Sequence, residues 1–185
     1  MQKAENHSFQ NEMAMMVKKI ICHCLIFGLV LLSASCGKSD SEVTTFILVR
    51  HAEKGNDGTD DPDLRPEGQS RARRLAYMLK DTPLSAIYST NFKRTRDTVK
   101  PISERQKVDV QLYEVNRPEV IAGMVEKHRG GTVLITGHSN NIPWTANLLL
   151  GKNVYEDYEE DEYGIMLIVS VGKTNKGSSV TRLNF

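Results

Sequence analysis

The stretch TFILVRHAE, residues 45–53, joins a continuous apolar run to a polar turn. Such a run, here TFILV, is typical of a strand buried on both faces, as in a parallel sheet covered by helices. Arg50 and His51 follow this strand directly. Ligands bind beyond the carboxyl ends of the strands in open α/β sheets, so the two residues mark a candidate site.

Strand-like and helix-like segments alternate along the rest of the chain. The predicted strands are 84–88, 108–112, 132–136, 163–171 and 178–183, and the predicted helices are 66–80, 91–105, 117–128 and 141–150. The apolar positions of the first three helices are Ala72, Leu75, Ala76 and Leu79, which share one face, then Phe92, Val99 and Ile102, and finally Val120, Ile121, Met124 and Val125, which are predicted to face inward. Repeated strand–helix units with a closing hairpin predict a three-layer α/β/α sandwich with a mainly parallel central sheet.

Composition limits the class of protein. The chain has 185 residues, of which 39% are hydrophobic and 25% charged, so one self-sufficient core is expected. Its net charge of +1 excludes a general binder of nucleic acid, which needs a field of Lys and Arg. Three cysteines are too few for a disulfide scaffold. The acidic segment 156–162, EDYEEDE, is predicted to be a solvated loop.

The first 35 residues are predicted to be a signal peptide. Residues 20–32 form an apolar run that follows Lys18 and Lys19 and is shorter than the roughly 20 residues of a membrane span. Small residues lead from it to Cys36, a pattern that resembles a bacterial lipoprotein signal. The resemblance implies lipidation of Cys36, a tether over 36–43, and a domain over 44–185 exported and held at a membrane. The alternatives are an uncleaved anchor or a buried helix of a cytoplasmic enzyme.

A second histidine follows a second buried strand. His138 comes just after TVLIT, residues 132–136, so it is expected to share a sheet edge with His51. Lys93, Arg94 and Arg96 lie on the opening turns of a predicted helix. Helix N-termini and arginines both favour anions, and together with the histidines they predict an oxyanion pocket, most naturally for phosphate. Metal binding is disfavoured because nearby arginines repel a cation.

Four segments with characteristic spacing occur in order along the chain. The first is Leu48-Val49-Arg50-His51-Ala52-Glu53-Lys54. The others are Leu64-x-x-x-Gly68-x-x-Arg71-Ala72, Tyr88-Ser89-x-x-x-x-Arg94-x-x-x-Thr98 and Gly137-His138-Ser139-Asn140. Together they resemble the histidine phosphatase superfamily, also called the phosphoglycerate mutase-like family. The resemblance covers about residues 46–150 and points to the short, single-domain branch of the superfamily.

This resemblance implies phosphoryl transfer without a metal or cofactor. His51 would attack phosphorus and become a phosphohistidine, while Arg50, Arg94 and His138 would hold the phosphoryl oxygens. Positioning and electrostatic stabilisation are what phosphoryl transfer needs. Because only a neutral imidazole attacks, the arginines are expected to help by lowering the pKa of His51.

A carboxylic acid is expected to protonate the leaving oxygen. In the family this carboxylate often follows the third strand region, and Glu114 stands there, so Glu114 is the predicted acid. Glu119 and Asp57 are alternative candidates for the acid. A further alternative is that Glu114 is only a carboxylate on the protein surface. Glu53, within the first motif, is predicted to be a structural ion-pair partner.

The leading expectation is an exported, lipid-anchored phosphatase. Its substrate would be a small phosphate monoester or a phosphoprotein. One alternative is a lipoprotein that binds phosphate or a phosphorylated ligand without turnover. Another is a phosphotransferase like phosphoglycerate mutase. Such an enzyme needs a pool of phosphorylated metabolites, which an exported protein does not normally meet.

Overall fold

The computed structural model describes residues 43–172 and 177–185. The predicted signal peptide, Cys36 and nearly all of the tether lie outside these residues. Within the described ranges the strands are β1 (Thr44–Arg50), β2 (Ala86–Ser89), β3 (Val110–Leu112), β4 (Thr132–Gly137), β5 (Ile165–Val171) and β6 (Ser179–Asn184). The helices there are α1 (Pro66–Met78), α2 (Lys93–Gln106), α3 (Pro118–Lys127) and α4 (Asn141–Leu150). None of these helices is long and apolar enough to cross a membrane.

The described strands form one sheet in the order β3-β2-β4-β1-β5-β6. Strand β1 pairs in parallel with β4, and β2 pairs in parallel with both β3 and β4. Strands β5 and β6 run antiparallel at the other side of β1. The predicted mainly parallel sheet with a closing pair of strands is therefore confirmed. The register sets Arg50 beside Gly137 and Ser89 beside Thr136, so three strands end side by side.

Two separate apolar clusters cover the two faces of the sheet. Phe46 and Leu48 of β1 face a cluster that includes buried residues of α3 and α4. Ile47 and Val49, which alternate with them, face a second cluster built with α1 and α2. This alternation of a strand buried on both sides produces three layers, as predicted.

The helices match their predicted positions apart from their ends. Both α1 and α3 carry proline in their first turn, where the missing N–H costs no helical hydrogen bond. Helix α1 ends at Met78, slightly before the predicted end, and α2 begins at Lys93. Phe92 was expected within this helix, and the structure corrects that expectation. It precedes the first helical residue, and its ring is 37% exposed.

Candidate active site

The carboxyl ends of β1, β2 and β4 bring the predicted residues together. The His51 N–H donates to the carbonyl of Gly137 across 2.8 Å, which extends the β1–β4 pairing by one residue. The rings of His51 and His138 then lie edge to face, with centroids 5.5 Å apart. The expectation that both histidines share one sheet edge is confirmed.

His51 is buried and held in one tautomer. Its Nδ1 lies 2.8 Å from the carbonyl oxygen of Ala52, and since a carbonyl only accepts, Nδ1 carries the proton. The Nε2 atom keeps its lone pair. Burial, with smaller contributions from Arg50, His138 and Arg94, lowers the pKa of His51 to about 3 despite the opposing hydrogen bond to Ala52. His51 is therefore a neutral imidazole with a free nucleophilic nitrogen.

His138 is fixed from three sides. Its N–H donates to the Asn141 side chain in the first turn of α4. Its Nε2 lies 2.9 Å from the hydroxyl of Thr90, and the ring of Phe92 meets its ring edge to face at 5.0 Å. Burial, followed by the charges of Arg94, Arg50 and Lys54, lowers the pKa of His138 to about 4.

Arg50 is clamped by the acidic segment 156–162. Its side chain is 3% exposed, and its Nη1 donates to the carbonyl oxygens of Glu159 (2.7 Å) and Glu162 (3.1 Å). Its Nη2 donates to the carbonyl of Glu160 at 3.1 Å. The Tyr163 ring lies 4.4 Å from the guanidinium carbon, a cation–π contact. The segment is mostly an exposed loop, as expected, apart from the buried Tyr158, and its backbone carbonyls additionally orient Arg50.

Arg94 reaches the site from the first turn of α2. Its Nη1 donates to the carbonyl of Asp60 at 3.2 Å and lies 3.5 Å from the carboxylate of Asp61. The Phe92 ring lies 4.2 Å from the guanidinium carbon of Arg94. Asp61 also accepts the backbone N–H of Lys93, at 2.8 Å, and so occupies the N-terminus of the helix.

Arg50 and Arg94 each have one buried hydrogen-bond donor without an acceptor among the described residues. The Nε atoms of Arg50 and Arg94 are buried and have no hydrogen-bond partner in the described part of the chain. Buried donors without acceptors are rare because each costs about 1 to 3 kcal/mol. Two of them on cationic groups beside a neutral histidine match the donor set of an oxyanion site.

Other predicted cations have structural partners. Lys54 pairs with Glu160 at 3.3 Å, and Lys93 pairs with Asp63 at 3.2 Å. Arg96 donates a hydrogen bond to the side chain of Asn91. Of the three cations at the start of α2, Arg94 is the one whose charge contributes to lowering the pKa of both His51 and His138. In the described ranges, no group of three or more His, Cys, Asp or Glu could hold a metal ion.

Glu53 is a structural ion-pair partner, as predicted. Both of its carboxylate oxygens accept from Arg71 on α1, at 2.6 to 3.0 Å. Arg71 also donates to the backbone carbonyl of Phe185. Helix α1 approaches so closely here that a Cβ at Gly68 would lie 2.4 Å from the Glu53 carbonyl oxygen. The pair therefore locks the turn that carries His51 to α1.

The predicted acid is not brought to the histidines. The carboxylate of Glu114 is 76% exposed and pairs with Arg117 at 2.8 Å. Glu119 pairs with the same arginine at 2.5 Å, and Asp57 bonds within its own turn to Thr59. No described hydrogen bond or ion pair joins these three carboxylates to either histidine. Asp61 is instead the carboxylate that contacts Arg94, and its charge acts on His138.

A cleft of about 570 Å³ opens beside Arg94. It lies between the turn-rich loop 55–63 and the acidic segment 156–162. Its charged and aromatic lining consists of Lys54, Asp60, Arg65, Arg94, Glu160, Asp161 and Tyr163. Arg94 and Tyr163 border both this cleft and the histidine site, whereas His51, His138 and Arg50 do not line the cleft.

The sequence reasoning missed Thr90, Phe92 as a site residue, Asp61 and Tyr163. Two of them had a usable signal. Thr90 is the second residue after the predicted strand 84–88, just as His51 and His138 are the second residues after the predicted strands 45–49 and 132–136. Tyr163 precedes β5, and because β5 is antiparallel to β1, its beginning lies at the site edge. Asp61 and Phe92 had no such signal.

The edge of this mainly parallel sheet carries two histidines with lowered pKa values, a buried Arg50 and a half-buried Arg94, which places the chain among α/β proteins with a candidate oxyanion site. Residues 46–115 match the model of the histidine phosphatase superfamily (branch 1). This match covers 70 of the 185 residues and contains Arg50, His51 and Arg94, so this part of the chain is similar to that superfamily. No curated protein matches the sequence significantly.

Solved structures of phosphatases share the fold. The protein histidine phosphatase SixA, solved with tungstate, has a TM-score of 0.61 at 13% identity, covering 76% of this chain and 96% of its own. A mycobacterial glucosyl-3-phosphoglycerate phosphatase has a TM-score of 0.59 at 13% identity, covering 77% and 98%. Phosphoserine phosphatase from Entamoeba histolytica, with 3-phosphoglyceric acid, has 0.56 at 16% identity, covering 71% and 95%. At sequence identities of 13 to 16%, the similarity to these structures is a similarity of fold.

Proposed function

We propose that this protein is a phosphatase that hydrolyses a phosphate monoester through a phosphohistidine on His51. One observation carries the proposal. The buried Nε donors of Arg50 and Arg94, which lack acceptors among the described residues, accompany a neutral His51 whose Nε2 lone pair is free. Oxyanion donors and a nucleophile within one site are the two requirements of phosphoryl transfer to an enzyme.

In the first step, the Nε2 lone pair of His51 forms a bond to phosphorus. The bond from phosphorus to the leaving oxygen breaks, and that oxygen keeps the electron pair and takes up a proton from solvent to become an alcohol. The Nδ1–H bond to Ala52 holds the ring as positive charge develops on it. Arg50 and Arg94 offset the negative charge on the phosphoryl oxygens.

In the second step, water attacks phosphorus and the bond to Nε2 breaks. The water loses a proton, inorganic phosphate leaves, and His51 returns to its neutral form. The fixed positions of Arg50 and His138 serve both steps, because the phosphoryl group stays between them. Positioning before the reaction avoids reorganisation during it.

The test is hydrolysis of p-nitrophenyl phosphate by the full chain with excess chelator present. We expect turnover with chelator, loss of turnover in His51→Ala, and an acid-labile phosphoenzyme in rapidly quenched wild type. Loss of activity on chelation would contradict the metal-independent mechanism. Binding of phosphate without turnover would favour a phosphate-binding protein on the same fold.

Small monoesters are the proposed substrate class, with phosphoproteins as the alternative. The cleft of about 570 Å³ suits a small carrier group. Two structural neighbours are named for small substrates, phosphoserine and glucosyl-3-phosphoglycerate, and SixA is named a protein histidine phosphatase. Comparing kcat/KM for phosphoserine, 3-phosphoglycerate and a phosphohistidine peptide distinguishes the two classes.

We also propose that the protein is exported and lipid-anchored through Cys36. This proposal rests on the sequence of residues 1–36. A membrane fraction that contains the chain, with label from a radioactive fatty acid lost in Cys36→Ser, is the expected result. An unlabelled chain in the cytoplasmic fraction would contradict it.

A further inference from the structure

Thr90 connects β2 to the second histidine through its hydroxyl. The side chain is buried, with 3% exposed, and directly follows Ser89 at the end of β2. Its Oγ1 lies 2.9 Å from His138 Nε2 and 3.0 Å from the hydroxyl oxygen of Thr95, which is fully buried. The Thr95 hydroxyl in turn lies 2.9 Å from the carbonyl oxygens of Thr90 and Phe92.

The direction of this hydrogen-bond chain follows from its carbonyl end. Carbonyl oxygens only accept, so the single hydroxyl proton of Thr95 goes to the carbonyls. The hydroxyl oxygen of Thr95 is then an acceptor, and the proton of Thr90 goes to it. Thr90 Oγ1 therefore has only lone pairs to offer His138, so Nε2 must carry a proton. In the opposite direction, Thr95 would donate to Thr90 and Thr90 to His138, and the Thr95 hydroxyl oxygen would lie 2.9 Å from two carbonyl oxygens without a proton between them.

We propose that Thr90, supported by Thr95, is a positioning residue that holds His138 in its Nε2–H tautomer and leaves Nδ1 to meet the phosphoryl group. The inference rests on the proposed function and goes further by assigning the protonation of the bound substrate. In the described part of the chain, Nδ1 has no hydrogen-bond partner. A neutral Nδ1 accepts a hydrogen bond, so it suits a phosphate monoester that carries one proton.

The charges around His138 agree with this assignment. Arg94 from α2, with Arg50 and Lys54 from β1 and the turn that follows, disfavours a positive imidazole, and Asp61 favours it. The His51 ring faces His138 from the β1 end. The second ionisation of a phosphate monoester lies near pH 6, so the substrate's own proton controls binding between about pH 5 and 8.

The first experiment reads the tautomer directly and needs no activity. Nitrogen-15 NMR of the histidine rings in the full chain should show a protonated Nε2 and an unprotonated Nδ1 for His138 at pH 7. In Thr90→Val, which removes the acceptor and keeps the side-chain shape, the two tautomers should mix. A proton on Nδ1 in the wild type, or an unchanged ring in Thr90→Val, would overturn the proposal.

The second experiment measures catalysis across pH 5 to 8. Thr90→Val should lower kcat about 10- to 100-fold, because a mis-set histidine tautomer is costly to catalysis. It should also weaken the fall of kcat/KM above about pH 6 that we expect in the wild type. Thr90→Ser, which keeps the hydroxyl, should restore both within about threefold.

Thr136→Val is the matched control, since Thr136 is fully buried and its hydroxyl has no partner among the described residues. Its pH profile should match that of the wild type. If Thr90→Val changes kcat but leaves the pH profile unaltered, Thr90 is merely structural and the proposal fails. If the wild type hydrolyses no phosphate ester, the proposed function fails, while the NMR result still decides the role of Thr90.

Discussion

Arg50 donates from Nη1 to the carbonyl oxygen of Glu159 across 2.7 Å, which ties the end of the central strand to the acidic segment 156–162. Bonds to the carbonyls of Glu160 and Glu162 complete the clamp. The side chain is therefore ordered when the protein folds, and an arriving oxyanion need not immobilise it. Pre-ordered donors of this kind increase affinity and catalytic power. An acidic segment thereby supports an anion site through its backbone.

The ring of Tyr163 should strengthen oxyanion binding by holding the Arg50 guanidinium. Cation–π contacts contribute about 0.5 to 2 kcal/mol, so Tyr163→Leu should raise the Kd for vanadate roughly 2- to 30-fold. Tyr163→Phe keeps the ring and should bind like the wild type. Calorimetric titration with vanadate measures both variants. Equal weakening in the two would show that the hydroxyl, and not the ring, matters.

Asp61 should compete with phosphate for Arg94. Its carboxylate lies 3.5 Å from Arg94 Nη1 and caps the N-terminus of α2, where an anion is favoured. Asp61→Asn keeps an oxygen for the Lys93 N–H and removes the charge. The inhibition constant of inorganic phosphate should fall about 3- to 10-fold.

Asp57→Asn is the control for Asp61→Asn, because Asp57 bonds to Thr59 in the same loop. It should leave phosphate inhibition unchanged. Weaker phosphate inhibition in Asp61→Asn would contradict the competition and would assign Asp61 to orienting Arg94.

Glu114→Gln should retain turnover of p-nitrophenyl phosphate within about threefold. The Glu114 carboxylate is exposed, pairs with Arg117, and contacts neither histidine among the described residues. A general acid contributes about 100-fold or more, so its removal is easily detected. A slow-leaving alkyl phosphate should be assayed alongside, since it depends more on protonation. A 100-fold loss with that substrate would restore Glu114 to the role of acid.

Both site histidines should titrate far below an ordinary imidazole. Burial is the main cause, and it holds the pKa of His51 to about 3 and that of His138 to about 4. NMR titration of the ring protons in the protein without phosphate should show these two midpoints. The nucleophile then remains neutral throughout pH 5 to 8, and a midpoint near 6.5 for His51 would contradict the buried geometry.

The Glu53–Arg71 pair should stabilise the fold at neutral pH. Burial alone would raise the pKa of Glu53, but the Arg71 hydrogen bonds, a backbone hydrogen bond and the charges of Arg71 and Arg65 together lower the pKa below 4.5. The stabilisation is therefore complete above the unfolded value near 4.5 and is lost as pH falls through the lowered pKa. At pH 7, Glu53→Gln should reduce the free energy of unfolding by about 1 to 3 kcal/mol.

Urea denaturation at pH 7 and pH 3 checks this prediction. The difference between wild type and Glu53→Gln should shrink at the lower pH. Glu104→Gln, on the exposed side of α2, should change the free energy of unfolding by less than about 0.5 kcal/mol at either pH. A difference that grows at low pH would mean that Glu53 is protonated in the native state.

Sequence patterns predicted the sheet and most of the residues at its edge. TFILV and TVLIT are continuous apolar runs, and in a parallel sheet their ends must meet at one edge. The ends of these strands therefore bring Arg50, His51 and His138 together, whatever path the connecting loops take. Arg94 follows the same logic, because α2 begins just past the end of β2.

The sequence by itself determined which strands are buried, where they end, and which histidines and arginines share the site, because apolar periodicity reports burial over short stretches of chain. The tertiary structure alone decided that the acidic segment clamps Arg50, that Asp61 and not Glu114 contacts Arg94, and that Thr90 meets His138. These contacts join residues that are distant in the sequence, and they depend on how loops pack and in which direction each hydrogen bond runs. No local pattern encodes that information.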